Sequence, residues 1–211
     1  MKPVGLRHPA GIAEDEGGTD DMQPMRSDAP LIVYLDFKSP YAYLAKDPTR
    51  ELEADFGITI DWRPLTLDIP SFLGSAKVDD VGKVVEANRT PRQWQGVRYA
   101  YMDAKRYARL KDILIYGPKK IWDSSLASIG MLWTRQAERT VLDAYLDIVY
   151  ERFWRRELDI EDPAVIAAVV AEAGGDASGY LDYADGAGRR EHDELQSRLH
   201  PAGIFGVPTY V

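Results

Sequence analysis

Residues 31–44, LIVYLDFKSPYAYL, decide the fold. Leu31, Ile32, Val33, Tyr34 and Leu35 form a short apolar run behind Pro30, as a central strand requires. Four residues later, Ser39-Pro40 starts a helix, with serine as N-cap and proline at the first helical position. A helix fed directly by a strand turns free N–H groups and the positive end of its dipole toward whatever lies beyond the strand. Such a junction suits an anion, whether phosphate, carboxylate or thiolate. The plainer reading of Ser39 is an ordinary helix cap.

Working outward, Tyr41–Asp55 reads as a helix, with Tyr41, Leu44, Leu52 and Phe56 sharing one face, Pro48 kinking it and Gly57 stopping it. Ile58, Ile60 and Trp62 alternate with Thr59 and Asp61 as a second strand. Strand–helix–strand at this spacing predicts two parallel neighbours. Pro64–Pro91 has few helical signals and reads as a long loop, a frequent home for function. It holds Lys77, Lys83, Asn88 and Arg89.

From Arg92 the pattern is helical: Trp94, Val97, Tyr101, Ala104 and Ala108 recur at helical spacing. Asp123 or Ser124 caps a further helix, Val141–Phe153 repeats the pattern, and Asp162-Pro163 opens another that Gly174-Gly175 stops. Two short helices lead to His200-Pro201, and then Gly206-Val207-Pro208-Thr209-Tyr210-Val211 reads as a turn entering a strand. A strand that starts there has no visible partner, so the chain is expected to be a shortened form of its fold.

Composition sets bounds. The 211 residues carry 45% hydrophobic and 28% charged side chains, ordinary for one globular domain. The net charge of −8 argues against nucleic acid, and no apolar run is long enough to span a membrane. There is no cysteine, which excludes disulfides, thiolate–zinc sites and cysteine nucleophiles and fits a cytoplasmic setting. Residues 1–29 are acidic and lack aromatic residues, the composition of a disordered tail.

Little else carries chemistry. His8, His192 and His200 have no metal-ligand spacing, and neither GxGxxG, a P-loop nor GxSxG occurs. The RFWRRE run at Arg152–Glu157 reads as a solvated helix end, and Lys38 as either a surface charge or a cation that assists an anionic ligand. Two features remain, Ser39-Pro40 and Val207-Pro208. If the second peptide is cis, the N–H and C=O of Val207 face outward and can pair with a peptide-like ligand while the helix N-terminus holds its anionic atom.

The strand–Ser39-Pro40-Tyr41-x-Tyr43-Leu44–helix opening, the long helical stretch and the late Gly203-Ile204-Phe205-Gly206-Val207-Pro208-Thr209-Tyr210 turn resemble the 2-hydroxychromene-2-carboxylate isomerases. These are similar to kappa-class glutathione transferases and, more distantly, to DsbA-type thiol oxidoreductases. The resemblance spans Leu31–Val211, and serine in place of the redox cysteine separates the isomerase and kappa branch from the oxidoreductases.

The resemblance implies an α/β, thioredoxin-like fold with a large all-helical insertion. Residues 30–66 would form the N-terminal βαβ half, 67–201 the loop and helical insertion, and 202–211 the cis-proline turn opening the C-terminal half. Measured against that pattern, the chain is expected to lack the family's closing strand, its Ser-Asp turn and its final helix. It also implies glutathione as cofactor: Ser39 would hydrogen-bond its sulfur, Val207-Pro208 its cysteinyl backbone, and Asn88 another part of it. The second substrate would be a small aromatic or conjugated electrophile, and the assembly a homodimer. Ala42, where the family commonly has serine, is one departure. A thioredoxin-like module without redox cysteines that binds peptides, chaperone-like, is the alternative.

Overall fold

The computed structural model describes residues 23–211, so His8 and most of the expected tail lie outside the described residues. Residues 23–29 belong to the fold rather than to a tail. Gln23–Met25 is a 3-10 turn with Pro24 buried, and its carbonyl accepts from Tyr34 Oη at 2.6 Å and from Arg63 at 3.0 Å.

Strand β1 is Leu31–Leu35, helix α1 Pro40–Phe56 and strand β2 Ile60–Pro64. β1 and β2 are parallel, with Leu31 opposite Ile60 and Leu35 opposite Pro64. Pro64 can end β2 because β2 is an edge strand, where a missing N–H costs nothing. Pro48 sits inside one uninterrupted α1, and Gly57 ends it in the left-handed conformation at φ 61°. Tyr41, Leu44 and Leu52 pack against the core as expected, but Phe56 is exposed.

Residues 64–91 are more regular than their sequence suggested. They contain a one-turn helix α2, Ile69–Leu73, and an antiparallel hairpin of β3, Ala76–Val78, with β4, Val84–Ala87. Both strands are too short to show a period, which is why the pattern was invisible. Thr90 then caps α3, Pro91–Leu110, by a reciprocal capping box with Gln93. Helices α4 (Ser125–Thr134), α5 (Arg139–Trp154), α6 (Pro163–Glu172), α7 (Tyr180–Asp185) and α8 (Ala187–Leu199) follow.

The last strand has a partner after all. β5, Thr209–Tyr210, lies antiparallel to β1, with Val33 opposite Tyr210, and Ile32 and Val211 exchange two backbone hydrogen bonds of 2.9 and 3.0 Å. The partner is the first strand of the domain, so the pairing was not legible from local sequence. The sheet order β2-β1-β5, a βαβ unit completed by an antiparallel strand, is the core of the thioredoxin-like fold expected above.

β1 separates two cores by alternation. Val33 and Leu35 face a large cluster with Trp62, Tyr145, Leu146 and Trp154, while Ile32 and Tyr34 face Leu65, Leu199 and Ile204. The RFWRRE run is solvated only in its charges: Phe153 and Trp154 are buried, and Trp154 donates from Nε1 to the Phe37 carbonyl at 3.1 Å.

Candidate active site

The turn between β1 and α1 is built on Asp36. Its carboxylate is fully buried and accepts from Leu67 N–H at 2.7 Å, Lys38 N–H at 3.1 Å and Ser124 Oγ at 2.7 Å. Lys38 is not a surface charge. Its ammonium is buried, 3.3 Å from Asp36 Oδ2, and donates to Ser124 Oγ at 3.0 Å. A charge pair taken out of water is tolerable only with such added hydrogen bonds, and removing one member leaves the other uncompensated. Ser124 therefore spends its hydroxyl on Asp36 and makes no side-chain cap for α4; Asp123 Oδ1 instead accepts from Ser125 N–H at 2.8 Å.

This network fixes Ser39 at the start of α1. Ser39 is buried, and its Oγ accepts from Ala42 N–H at 3.3 Å. The cap uses a lone pair of Oγ, and among the described residues nothing accepts its proton. Pro40 has no N–H, and Tyr41 N–H has no partner among the described residues either. Two donors thus stay unspent at a helix N-terminus, the part of a helix best suited to an anion.

Ser39 opens on a cavity of about 470 Å³, within the usual range for small-molecule sites. Its floor is Lys38, Ser39, Pro40 and Tyr41, and one side is Gly206 and Val207. The apolar wall comes from Leu67, Ile69, Leu73, Ala76 and Val78, and α3 adds Trp94, Val97 and Tyr101. Residues 117–122 close the rim. Four cations line it, Lys38, Arg89, Lys119 and Lys120, and no carboxylate does.

The Val207–Pro208 peptide is cis. Val207 reaches the same cavity as Ser39, and among the described residues its backbone N–H and carbonyl have no hydrogen-bond partner. Asn88 is placed differently. It lies exposed at the base of the hairpin, outside the cavity lining, with Oδ1 accepting from Ser75 N–H at 2.6 Å. Its neighbour Arg89 is the one that enters.

Two tyrosines at the site hold their protons firmly. Burial pushes the Tyr101 hydroxyl up to about 12, and burial together with a 3.0 Å hydrogen bond to Asp103 pushes Tyr41 up to about 12. Sequence reasoning missed Asp36 and Ser124 as supports. An acid within two residues of a lysine at a strand end was the available signal.

The family model described as "DSBA-like thioredoxin domain" matches residues 30–211. A 2-hydroxychromene-2-carboxylate isomerase of Pseudomonas putida is 26% identical over 177 residues, covering 83% of this chain and 81% of its own. One from Sphingobium xenophagum is 24% identical over 179 residues, covering 83% and 84%. Among solved structures, a 2-hydroxychromene-2-carboxylate isomerase superposes with a TM-score of 0.63 at 24% identity, covering 86% of this chain and 84% of that one. A cytosolic disulfide reductase from Pseudomonas aeruginosa, solved with GSH, gives 0.55 at 17% identity, covering 85% and 84%. Among the described residues no helix is long and apolar enough to cross a membrane, and no cluster of side chains is suited to a metal ion.

Proposed function

We propose a function that starts from membership: this chain belongs to the DSBA-like thioredoxin domain family. It works as a glutathione-dependent isomerase or transferase in the cytoplasm; the relatives named 2-hydroxychromene-2-carboxylate isomerase support the isomerase part of that reading. One observation carries the reading. Ser39, with an unspent hydroxyl proton, and Val207, with an unpaired backbone, line one cavity from opposite ends of the chain.

Glutathione's cysteinyl backbone pairs with Val207, and its sulfur lies against Ser39 Oγ and Tyr41 N–H. A free thiol has a pKa of about 8.5, and helix N-termini and nearby cations lower such values. The buried Lys38–Asp36 pair just before Ser39 adds no net charge to that end; it holds the turn in place. Serine stabilises a thiolate by a charge-assisted hydrogen bond and cannot form a disulfide with it. With no cysteine in the chain, glutathione supplies the only sulfur nucleophile. Asn88 contributes by holding the arm that carries Arg89.

The apolar wall receives a flat, conjugated electrophile. Glutathione held there would supply a thiolate able to add reversibly to the electrophile's conjugated double bond, which would let that bond rotate and return glutathione unconsumed, while loss of a leaving group instead would give a transferase product.

The test is retention on immobilised glutathione, with thiolate formation followed by ultraviolet absorbance. The native chain is expected to bind and to show thiolate at neutral pH. Ser39→Ala should lose about 10²–10³ in turnover, the usual cost of one preorganised donor. Failure of the native chain to bind glutathione, with extended peptides binding at the Val207 edge, would replace this reading with the peptide-binding one.

A further inference from the structure

We infer that the outward face of α3 docks on an anionic lipid bilayer, with Tyr99, Met102 and Leu110 set into the headgroup layer.

α3 is charged unlike the rest of the chain. It carries Arg92, Arg98, Lys105, Arg106 and Arg109 against one acid, Asp103, a net +4 in a chain whose net charge is −8. The remaining residues therefore hold −12 between them. Arg50 and Arg139, on α1 and α5, are each held by carboxylates, whereas no acid pairs with any of the five cations of α3 among the described residues. Arg106 reaches only the Met102 sulfur, 3.8 Å away, and Asp103 is occupied by the Tyr41 hydroxyl at 3.0 Å.

The same face is also apolar. Tyr99, Met102, Tyr107 and Leu110 are exposed, Leu110 to 83%, which leaves its side chain without a packing partner in the fold. Helical spacing sets Arg92, Tyr99, Arg106 and Leu110 along one narrow stripe, with Met102 and Arg109 beside it.

That alternation favours one kind of partner. A groove on another protein wants an unbroken apolar row at i, i+3, i+4 and i+7, and Arg106 interrupts it. Single-stranded nucleic acid wants a basic groove with stacking aromatics, and an outward helix face on an acidic chain offers none. A headgroup layer places anionic phosphates and the first apolar carbons within about 5–10 Å of each other. A stripe that alternates guanidinium with tyrosine, methionine and leucine meets both. The −12 on the remaining residues turns the molecule so that α3 leads toward an anionic plane.

The opposite side of α3 supplies Trp94, Val97 and Tyr101 to the cavity on which Ser39 opens. Docking therefore holds that cavity roughly one helix diameter, 10–12 Å, from the lipid, a short path for a ligand dissolved there. The docking itself does not depend on what the cavity binds.

The test is co-sedimentation of the full chain with vesicles of phosphatidylcholine, alone or with about one-third phosphatidylglycerol. The native chain is expected to bind the anionic vesicles at least about 10-fold more tightly, and to lose that preference as salt rises from about 0.05 to 0.5 M. Replacing Arg98, Arg106 and Arg109 together by Gln should remove about 10- to 100-fold of the affinity. Tyr99→Ser with Leu110→Ser should remove a smaller factor and leave the salt dependence unchanged. A control that removes the same charge elsewhere, Lys77→Gln, Arg155→Gln and Arg190→Gln, should stay within about 2-fold of native. All these side chains are exposed, so thermal unfolding of every variant should match the native chain. A native chain left in solution by anionic vesicles at low salt overturns the inference. So does an equal loss in the control, which would assign the attraction to net charge, and so does an unchanged affinity without Tyr99 and Leu110, which would leave no insertion. Binding of polyglutamate or a single-stranded oligonucleotide in preference to the vesicles, lost with the same three arginines, would give the face to another macromolecule.

Discussion

The cavity has two walls made in opposite ways. The inner wall, Asp36 to Tyr41, continues the buried strand β1, and its polar groups are tied to the segment after β2, to the residue before α4 and to α5 through Leu67, Ser124, Tyr150 and Trp154. The outer wall, from Ile69 to Tyr101, hangs on α2 and a hairpin whose Val81, Val84 and Val85 are exposed. The inner wall holds chemistry that tolerates little displacement, and burial gives it rigidity. The outer wall meets the variable part of a ligand, and sparse packing leaves it easier to change.

The largest effect should come from the inner wall. Asp36→Ala strands the Lys38 ammonium and the Leu67 N–H in a buried place, and losing one member of a buried pair costs about 3–5 kcal/mol. Denaturant unfolding would measure it. A loss below about 1 kcal/mol would mean that the inner wall is no more rigid than the outer, and the contrast would fail.

A smaller effect is expected at the outer wall. Gly74 has φ 62° and ψ −179°, a conformation almost confined to glycine, and a Cβ would approach Asn88 Oδ1 to 2.8 Å. Gly74→Ala should cost about 1–3 kcal/mol of local stability. Because the strain falls on the hairpin, it should appear as faster amide exchange in residues 75–88, with the exchange of β1 unchanged. Equal acceleration in β1 would show that the two walls unfold as one unit.

The inner wall was largely legible in sequence, and the outer wall was not. Leu31–Leu35, Ser39 and Pro40 announce themselves because a buried strand and a capped helix each leave a local pattern. Lys38 showed the limit of that pattern: its burial depends on Asp36 and on Ser124, brought in by α4. The pairing of β5 with β1 was equally hidden, since only the folded sheet brings Tyr210 to Val33. In the outer wall, α2, β3 and β4 are three to five residues each, too short for periodicity to speak. Asn88 and Arg89 were noticed together in sequence, and only the backbone path decides that Asn88 turns to Ser75 while Arg89 enters the cavity.

The smallest effect concerns how the inner wall is braced from behind, and it is read in pH. His192 on α8 is buried, with its ring nitrogens 2.9 Å from Thr66 Oγ1 and 2.8 Å from Asp193 Oδ1. Thr66 Oγ1 in turn lies 3.2 Å from Ser128 Oγ on α4, so the imidazole links α8, the end of β2 and α4. Burial lowers the pKa of His192 below its ordinary 6.5; Asp193 and Asp123 oppose that shift and Arg189 adds to it. A group whose folded pKa is depressed binds its proton more readily when the chain is unfolded. Stability is therefore full above pH about 6.5 and falls as pH drops from there toward the folded pKa. Glu53 and Asp61, also depressed but held by Arg139 and by Arg63 with Arg135, lose their contributions only at more acid pH, so the two windows separate. Thermal unfolding followed from pH 8 downward should show a first decline beginning near 6.5, and His192→Gln should flatten that decline alone. If the decline survives in the variant, the proton that loosens the brace is bound elsewhere, and α8 does not tie the inner wall through this ring.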